Sequence, residues 1–193
     1  IAIVKVQDFP GYDKLGISLT KVGYGENTTE MPTLEGTQFT IQYYDGYYSK
    51  ESLPDTAKRE WVIEIKKEGE QYAAKLSDPY LVEPLSDDLY KGANGETILP
   101  YGTIAIQETK PAAGYTLKGS LKDKEGNIVA KDGELFVSQV TKKDGTVKLE
   151  GGNQYIAEDV PVEGSIKIKK FDTDGTTPLK GAIFEIKNGK GEV

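Results

Sequence analysis

Apolar and polar residues alternate with a period of two along most of this chain, and almost no segment carries the 3.6-residue period of a helix. Ile17-Ser-Leu-Thr-Lys-Val22 places Ile17, Leu19 and Lys21 on one face, and in the run from Leu34 to Tyr44 the residues Phe39 and Ile41 are in phase. Trp61 to Ile65 reads as a strand, and further strands are predicted at 103–108, 115–122, 127–131, 134–140, 146–149 and 154–159. The β-branched run from Ile1 to Asp8 predicts one more. Asp45-Gly46, Lys124-Glu-Gly126, Lys131-Asp-Gly133 and Lys143-Asp-Gly145 are turn signals between these runs. Residues 66–98 hold short apolar pieces among Gly, Pro, Asn and Asp clusters, which predict hairpins and loops with a short helix near 85–90. Many short strands with regularly spaced turns predict an all-β fold, an antiparallel β-sandwich.

Two charged residues fall on the apolar phase. Glu108 follows Ile104 and Ile106 in the alternation and stands just before Lys110-Pro-Ala-Ala-Gly-Tyr115, where Pro111 cannot donate to a sheet and Gly114 tolerates a left-handed backbone. Lys21 is likewise in phase with Ile17 and Leu19. Taken singly, each has an ordinary reading: a strand-end glutamate that reaches water, and a lysine whose stem packs along the sheet.

Composition removes most other chemistry. The 193 residues include no cysteine and no histidine, which excludes disulfides, thiolate nucleophiles, Ser-His-Asp triads and imidazole zinc sites. Stability must come from packing, a bound ion or another covalent link. With 31 acidic against 24 basic residues the net charge is −7, which argues against nucleic acid and anionic membrane surfaces as partners. No apolar stretch is long enough for a membrane-spanning helix and no signal peptide opens the sequence, so the chain is expected to be mature or excised.

The segment from Gly164 to Ile186 repeats residues 16–41. Ile17, Leu19 and Lys21 match Ile166, Ile168 and Lys170, while Leu34, Gly36, Phe39 and Ile41 match Leu179, Gly181, Phe184 and Ile186. A repeating unit of this kind marks an array. The expected organisation is a last strand or linker at 1–9, one complete sandwich with an insertion at 10–163, and the first strands of a second similar domain at 164–193.

Three places carry a resemblance to a known family. Ile17-Ser-Leu-Thr-Lys21 is followed by Leu34-Glu-Gly-Thr-Gln-Phe39; Leu99-Pro-Tyr-Gly-Thr103 precedes Glu108-Thr-Lys-Pro-Ala-Ala-Gly-Tyr115; and Asp159 closes the last strand, five residues before Gly164. In order and spacing, from about residue 16 onward, these resemble the Cna B-type (SpaA-like, prealbumin-like) domains of Gram-positive surface proteins and pilins, which form internal isopeptide bonds. Two departures stand out: the proline of the glutamate box lies one place early, and Asp159, beside Glu158, stands where asparagine is common.

The resemblance implies an amide between Lys21 and Asp159, with Glu108 as the catalytic proton relay and no cofactor or metal. Such a reaction needs a neutral amine and a protonated carboxyl; burial favours both, and fixed neighbours supply proximity. It runs once, so the domain would be a self-modifying structure and not a turnover enzyme. A glycoside hydrolase would need two inward carboxylates at an open cleft, a pattern the sequence lacks. The implied role is a rigid stalk module of a cell-wall-anchored adhesin or pilin on a Gram-positive bacterium. Its partners would be neighbouring domains of the same surface protein. The alternative is an adhesin module that binds a host ligand, a protein or glycan, through the 47–98 insertion. Lys170 and Asp8 would be the corresponding bond partners in flanking domains.

Three further signals are weaker. Leu53-Pro-Asp-Thr-Ala57 has the order of a sortase signal, but Ala57 replaces glycine and no apolar tail follows; a loop is expected. Asp172-Thr-Asp-Gly175 lacks the later ligands of a calcium loop and predicts a turn. Tyr43, Tyr44, Tyr47 and Tyr48 cluster around one turn, as either a binding patch or strand packing.

Overall fold

The computed structural model describes residues 12–13, 17–23, 32–143, 146–149, 154–161, 169–173, 175–181, 183–185 and 187. The chain divides into two compact units, Ile1–Val162 and Glu163–Val193. In the first, the early strands are β1 (Tyr12–Asp13), β2 (Ser18–Gly23), β3 (Gln38–Tyr44), β4 (Arg59–Glu64), β5 (Lys66–Glu68) and β6 (Gln71–Lys75). They are followed by β7 (Leu99–Pro100), β8 (Gly102–Lys110), β9 (Tyr115–Asp123), β10 (Ile128–Ala130), β11 (Phe136–Lys143), β12 (Thr146–Leu149) and β13 (Gln154–Pro161).

These strands build an all-β sandwich. One sheet has the order β10-β9-β13-β2-β6-β5 and the other β12-β11-β8-β3-β4, with β1 and β7 paired apart. Among the described strands every pairing is antiparallel except β13 with β2, which is parallel. The alternation identified the buried phase: Ile17, Leu19, Ile41, Ile104 and Ile106 are 0 % exposed and Phe39 2 %. Together with Trp61, Ile63, Tyr155 and Ala157 they form one contiguous core between the sheets. Each such side chain contributes roughly 1.5–3 kcal/mol relative to exposure in water.

The middle of the second sheet is also covered on its outer side. Thr103 Oγ1 donates to the carbonyl of Gly46 (2.7 Å) and accepts from the Tyr48 amide (2.9 Å), which folds the segment after β3 over β8. Tyr44 is buried, edge-on to Tyr48 with ring centroids 6.2 Å apart. Tyr43 is buried too, donates its hydroxyl to the Tyr101 carbonyl, and is pushed up to about 12 chiefly by that burial. Strand packing therefore accounts for most of the tyrosine cluster, and Tyr47 alone of the four projects well into solvent.

The helix expected near 85–90 is absent, and the reason is local hydrogen bonding. Residues 81–88 run along β4, the edge of the five-stranded sheet, and supply it with partners. Val82 donates to the Val62 carbonyl (2.9 Å) and Asp87 to that of Glu60 (2.9 Å). Ser86 Oγ accepts the Val62 amide (3.0 Å) and Asp87 Oδ2 the Glu60 amide (2.8 Å). Short polar side chains that bond backbone groups compete with helix formation, and here they cap an edge that would otherwise be open to pairing.

Ser86→Ala is expected to leave the Val62 amide unsatisfied and to cost about 1–2 kcal/mol, read as a lower urea midpoint at unchanged slope. A second expectation concerns acid. Asp123 turns β9 into β10, and its carboxyl is held below the ordinary range by the Asn127 side chain, then by the amides of Asn127 and Glu125. Its contribution is thus fully present above the unfolded value of about 3.9 and is lost as pH falls through the lower folded value. The stability gap between the protein and Asp123→Ala should close over that acid window when followed by denaturation at stepped pH.

Candidate functional site

Lys21 lies in the middle of β2, flanked on one side by β13, where it is in register with Ala157, and on the other by β6, where it faces Tyr72. The alternation that buries Ile17 and Leu19 carries Lys21 inward as well, and the residue is 2 % exposed. Its stem cannot reach water along the sheet, so the ammonium must be met inside.

Glu108 meets it. The carboxylate comes from β8 in the opposite sheet, where Glu108 pairs with Phe39 across β3. Lys21 Nζ donates to Glu108 Oε2, and the lysine side chain is fully buried while that of the glutamate retains 10 % exposure. The β3–β8 ladder shifts register beside this point: Gln38 pairs with Lys110 and Phe39 with Glu108, leaving Thr109 extra. Such irregularities bend a strand and re-aim a side chain. Phe39 itself turns its ring toward the ammonium, with Nζ 5.3 Å from the centroid. Ion pair and ring together form a charged spot walled by apolar groups. Nearby, Tyr155 sits two residues before Ala157 with its phenol pushed well above the ordinary value, mainly by burial.

The turn after Glu108 is anchored. Ala112, Tyr115 and Leu34 form a second small cluster with Tyr72 against it. The Tyr115 hydroxyl donates to the Pro32 carbonyl (2.9 Å), and Gly114 takes φ +90°, where a Cβ would lie 3.2 Å from Pro32. These contacts fix the turn that ends β8.

Asp159 lies on β13 two residues beyond Ala157, in register with Gly23. Along parallel strands this is a step of ~6.6 Å from the position opposite Lys21. The Asp159 side chain lies outside the described atoms. Its neighbour Glu158 is engaged elsewhere, 2.5 Å from Lys122 Nζ, at a position out of phase with buried Ala157. The β13–β9 ladder breaks here too: between the pairs Glu158–Ser120 and Val160–Thr116, β13 advances two residues and β9 four.

Lys170 belongs to the Glu163–Val193 unit, is exposed, and accepts the Leu179 amide on its carbonyl (3.0 Å). Asp8 lies outside the described residues. Asp172 makes a turn, its Oδ1 accepting the Thr173 amide (2.6 Å) and its carbonyl the Gly175 amide (2.9 Å). Leu53 to Ala57 is a loop after a short 3₁₀ turn, with Pro54, Asp55 and Thr56 exposed. What the sequence did not indicate is the pairing of Phe39 with Glu108, since each strand shows only its own phase.

Removing one member of a buried ion pair costs more than removing both. Lys21→Met/Glu108→Leu is therefore expected to be more stable than Lys21→Met alone by about 3 kcal/mol, measured by chemical denaturation. Neither variant retains the lysine amine, so the difference reports the stranded carboxylate and nothing covalent.

In sequence, the chain matches no protein-family model and no curated protein.

Proposed function

We propose that this protein is a load-bearing stalk module of a Gram-positive surface protein or pilus, locked by an amide formed once between Lys21 and Asp159 with Glu108 as proton relay. The observation that carries the reading is the Lys21–Glu108 pair, buried in the core and spanning the two sheets at the strand neighbouring β13. A lysine this buried is costly to maintain unless it is paired or consumed. The order of the three motifs along the chain supports the same assignment, as does the absence of any cysteine to staple the fold.

The chemistry balances without a co-reactant. An ammonium and a carboxylate give one amide and one water, with no net proton gained or lost. Glu108 takes a first proton from Nζ and passes it to the Asp159 carboxylate, the amine attacks the carbonyl carbon of the resulting acid, and Glu108 carries a second proton from the nitrogen to the departing hydroxyl, which leaves as water. Phe39 and Ala157 present apolar surface to the reacting nitrogen. The topology supports a mechanical role. Because β2 and β13 run parallel, tension on the two ends would shear this pair, and a covalent cross-link between them would take the load.

The Glu163–Val193 unit reads as the opening of a second such module. Gly36 and Gly181 hold φ of +81° and +78° in matching Leu-x-Gly-x-x-Phe segments. Leu34 and Phe39 are buried, whereas Leu179 and Phe184 are 44 % and 48 % exposed, as an uncovered first hairpin would be.

Intact mass decides the central claim. The protein should weigh one water less than its sequence, and Glu108→Ala should restore the full sequence mass while retaining a β-sheet circular dichroism spectrum. A wild-type mass equal to that of the sequence sinks the bond; a bond in Glu108→Ala removes the relay role.

A further inference from the structure

Condensation inside a core leaves a water molecule where water is unwelcome. Amide formation is opposed by water, so a buried reaction of this kind is favoured when its product is lost to bulk. The requirement is a path wide enough for one water and no wider.

The sandwich contains a cavity of that size. About 20 Å³ in volume, it has room for a single water molecule. Its inner wall is formed by Phe39, Glu108 and Ala157, the residues that surround the Lys21 ammonium or stand in register with it. Its outer wall is formed by Leu117, Gly133 and Glu134. Leu117 is 40 % exposed and the Glu134 side chain 60 %, whereas Phe39 and Ala157 are 2 % exposed, so the cavity runs from the surface to the ion pair.

The cavity follows from strand geometry. It lies along the stretch of β9 that gains two residues on β13 between Ser120 and Thr116, the stretch facing Asp159 in the ladder. There the sheet cannot close by regular pairing. The rim is pinned from both sides: Gly133 donates to the Gly119 carbonyl (3.3 Å) and accepts from Gln107 Nε2 (2.9 Å). Gly133 takes φ +73°, and a Cβ there would fall 2.6 Å from the Leu117 carbonyl. The rim is therefore fixed by backbone contacts that leave no room for a side chain at this position.

We propose that this cavity is the exit for the water released when Lys21 and Asp159 condense. The inference rests on the amide reading above and assigns it a second structural requirement. The Nζ–C bond forms, the carboxyl C–O bond breaks, and the oxygen leaves as water past Glu108, the polar group on the inner wall.

The test is a time course of intact mass after cell-free synthesis, comparing the protein with two variants. Ala130→Leu fills the cavity from a buried wall position, and Leu117→Trp plugs the exposed mouth without touching the core. Both should lose one water at least tenfold more slowly than the wild type while keeping a dispersed amide NMR spectrum. If Ala130→Leu does not fold, Leu117→Trp decides alone. Loss of water at the wild-type rate in a folded variant overturns the exit role and leaves the amide intact. No loss in any of the three proteins overturns the amide and the exit together.

Discussion

The bridge between Lys21 and Glu108 is the constraint around which the sandwich is arranged. An ammonium buried among Leu19, Phe39 and Ala157 must be met by an acceptor, and a carboxylate from the facing sheet supplies one. That fixes the relative register of β2 and β8 across the core, because a slip of one residue on either strand would turn a charged side chain outward and a polar one in. The irregularity beside Thr109 and the anchored turn from Ala112 to Tyr115 serve the same end: they hold one carboxylate at one depth.

The parallel contact of β13 with β2 gives the pair its setting. Between these two strands the chain passes through the opposite sheet, where β3 and β8 bring Phe39 and Glu108 against Lys21. Pairing faults then appear where the two demands meet. β9 gains two residues on β13 at Asp159, and the cavity beside Glu108 opens along that stretch. The edges are handled separately, by the charged Lys66-Lys67-Glu68 strand on one sheet and by the Ser86 and Asp87 side chains on the other.

Local hydrogen bonding explains where pattern and fold part company. A short helix was expected near 85–90, yet Ser86 and Asp87 find partners on the exposed backbone of β4 that a helical turn would not offer them. The clustered tyrosines had two readings in the sequence, and the geometry of Thr103 chose between them by drawing the Tyr48 segment over β8.

The sequence by itself determined the all-β class, the phase of each major strand and the inward direction of Lys21 and Glu108, since a period of two assigns every residue to a face without reference to any partner. It also marked the repeat of the Leu-x-Gly-x-x-Phe turn, because a left-handed backbone at Gly36 and Gly181 is a local demand. Only the tertiary structure decided which faces meet. That Glu108 answers Lys21, that Phe39 walls the pair, and that β13 lies parallel to β2 depend on contacts between residues far apart in the chain. Alternation within a strand carries no information about its neighbour across the core.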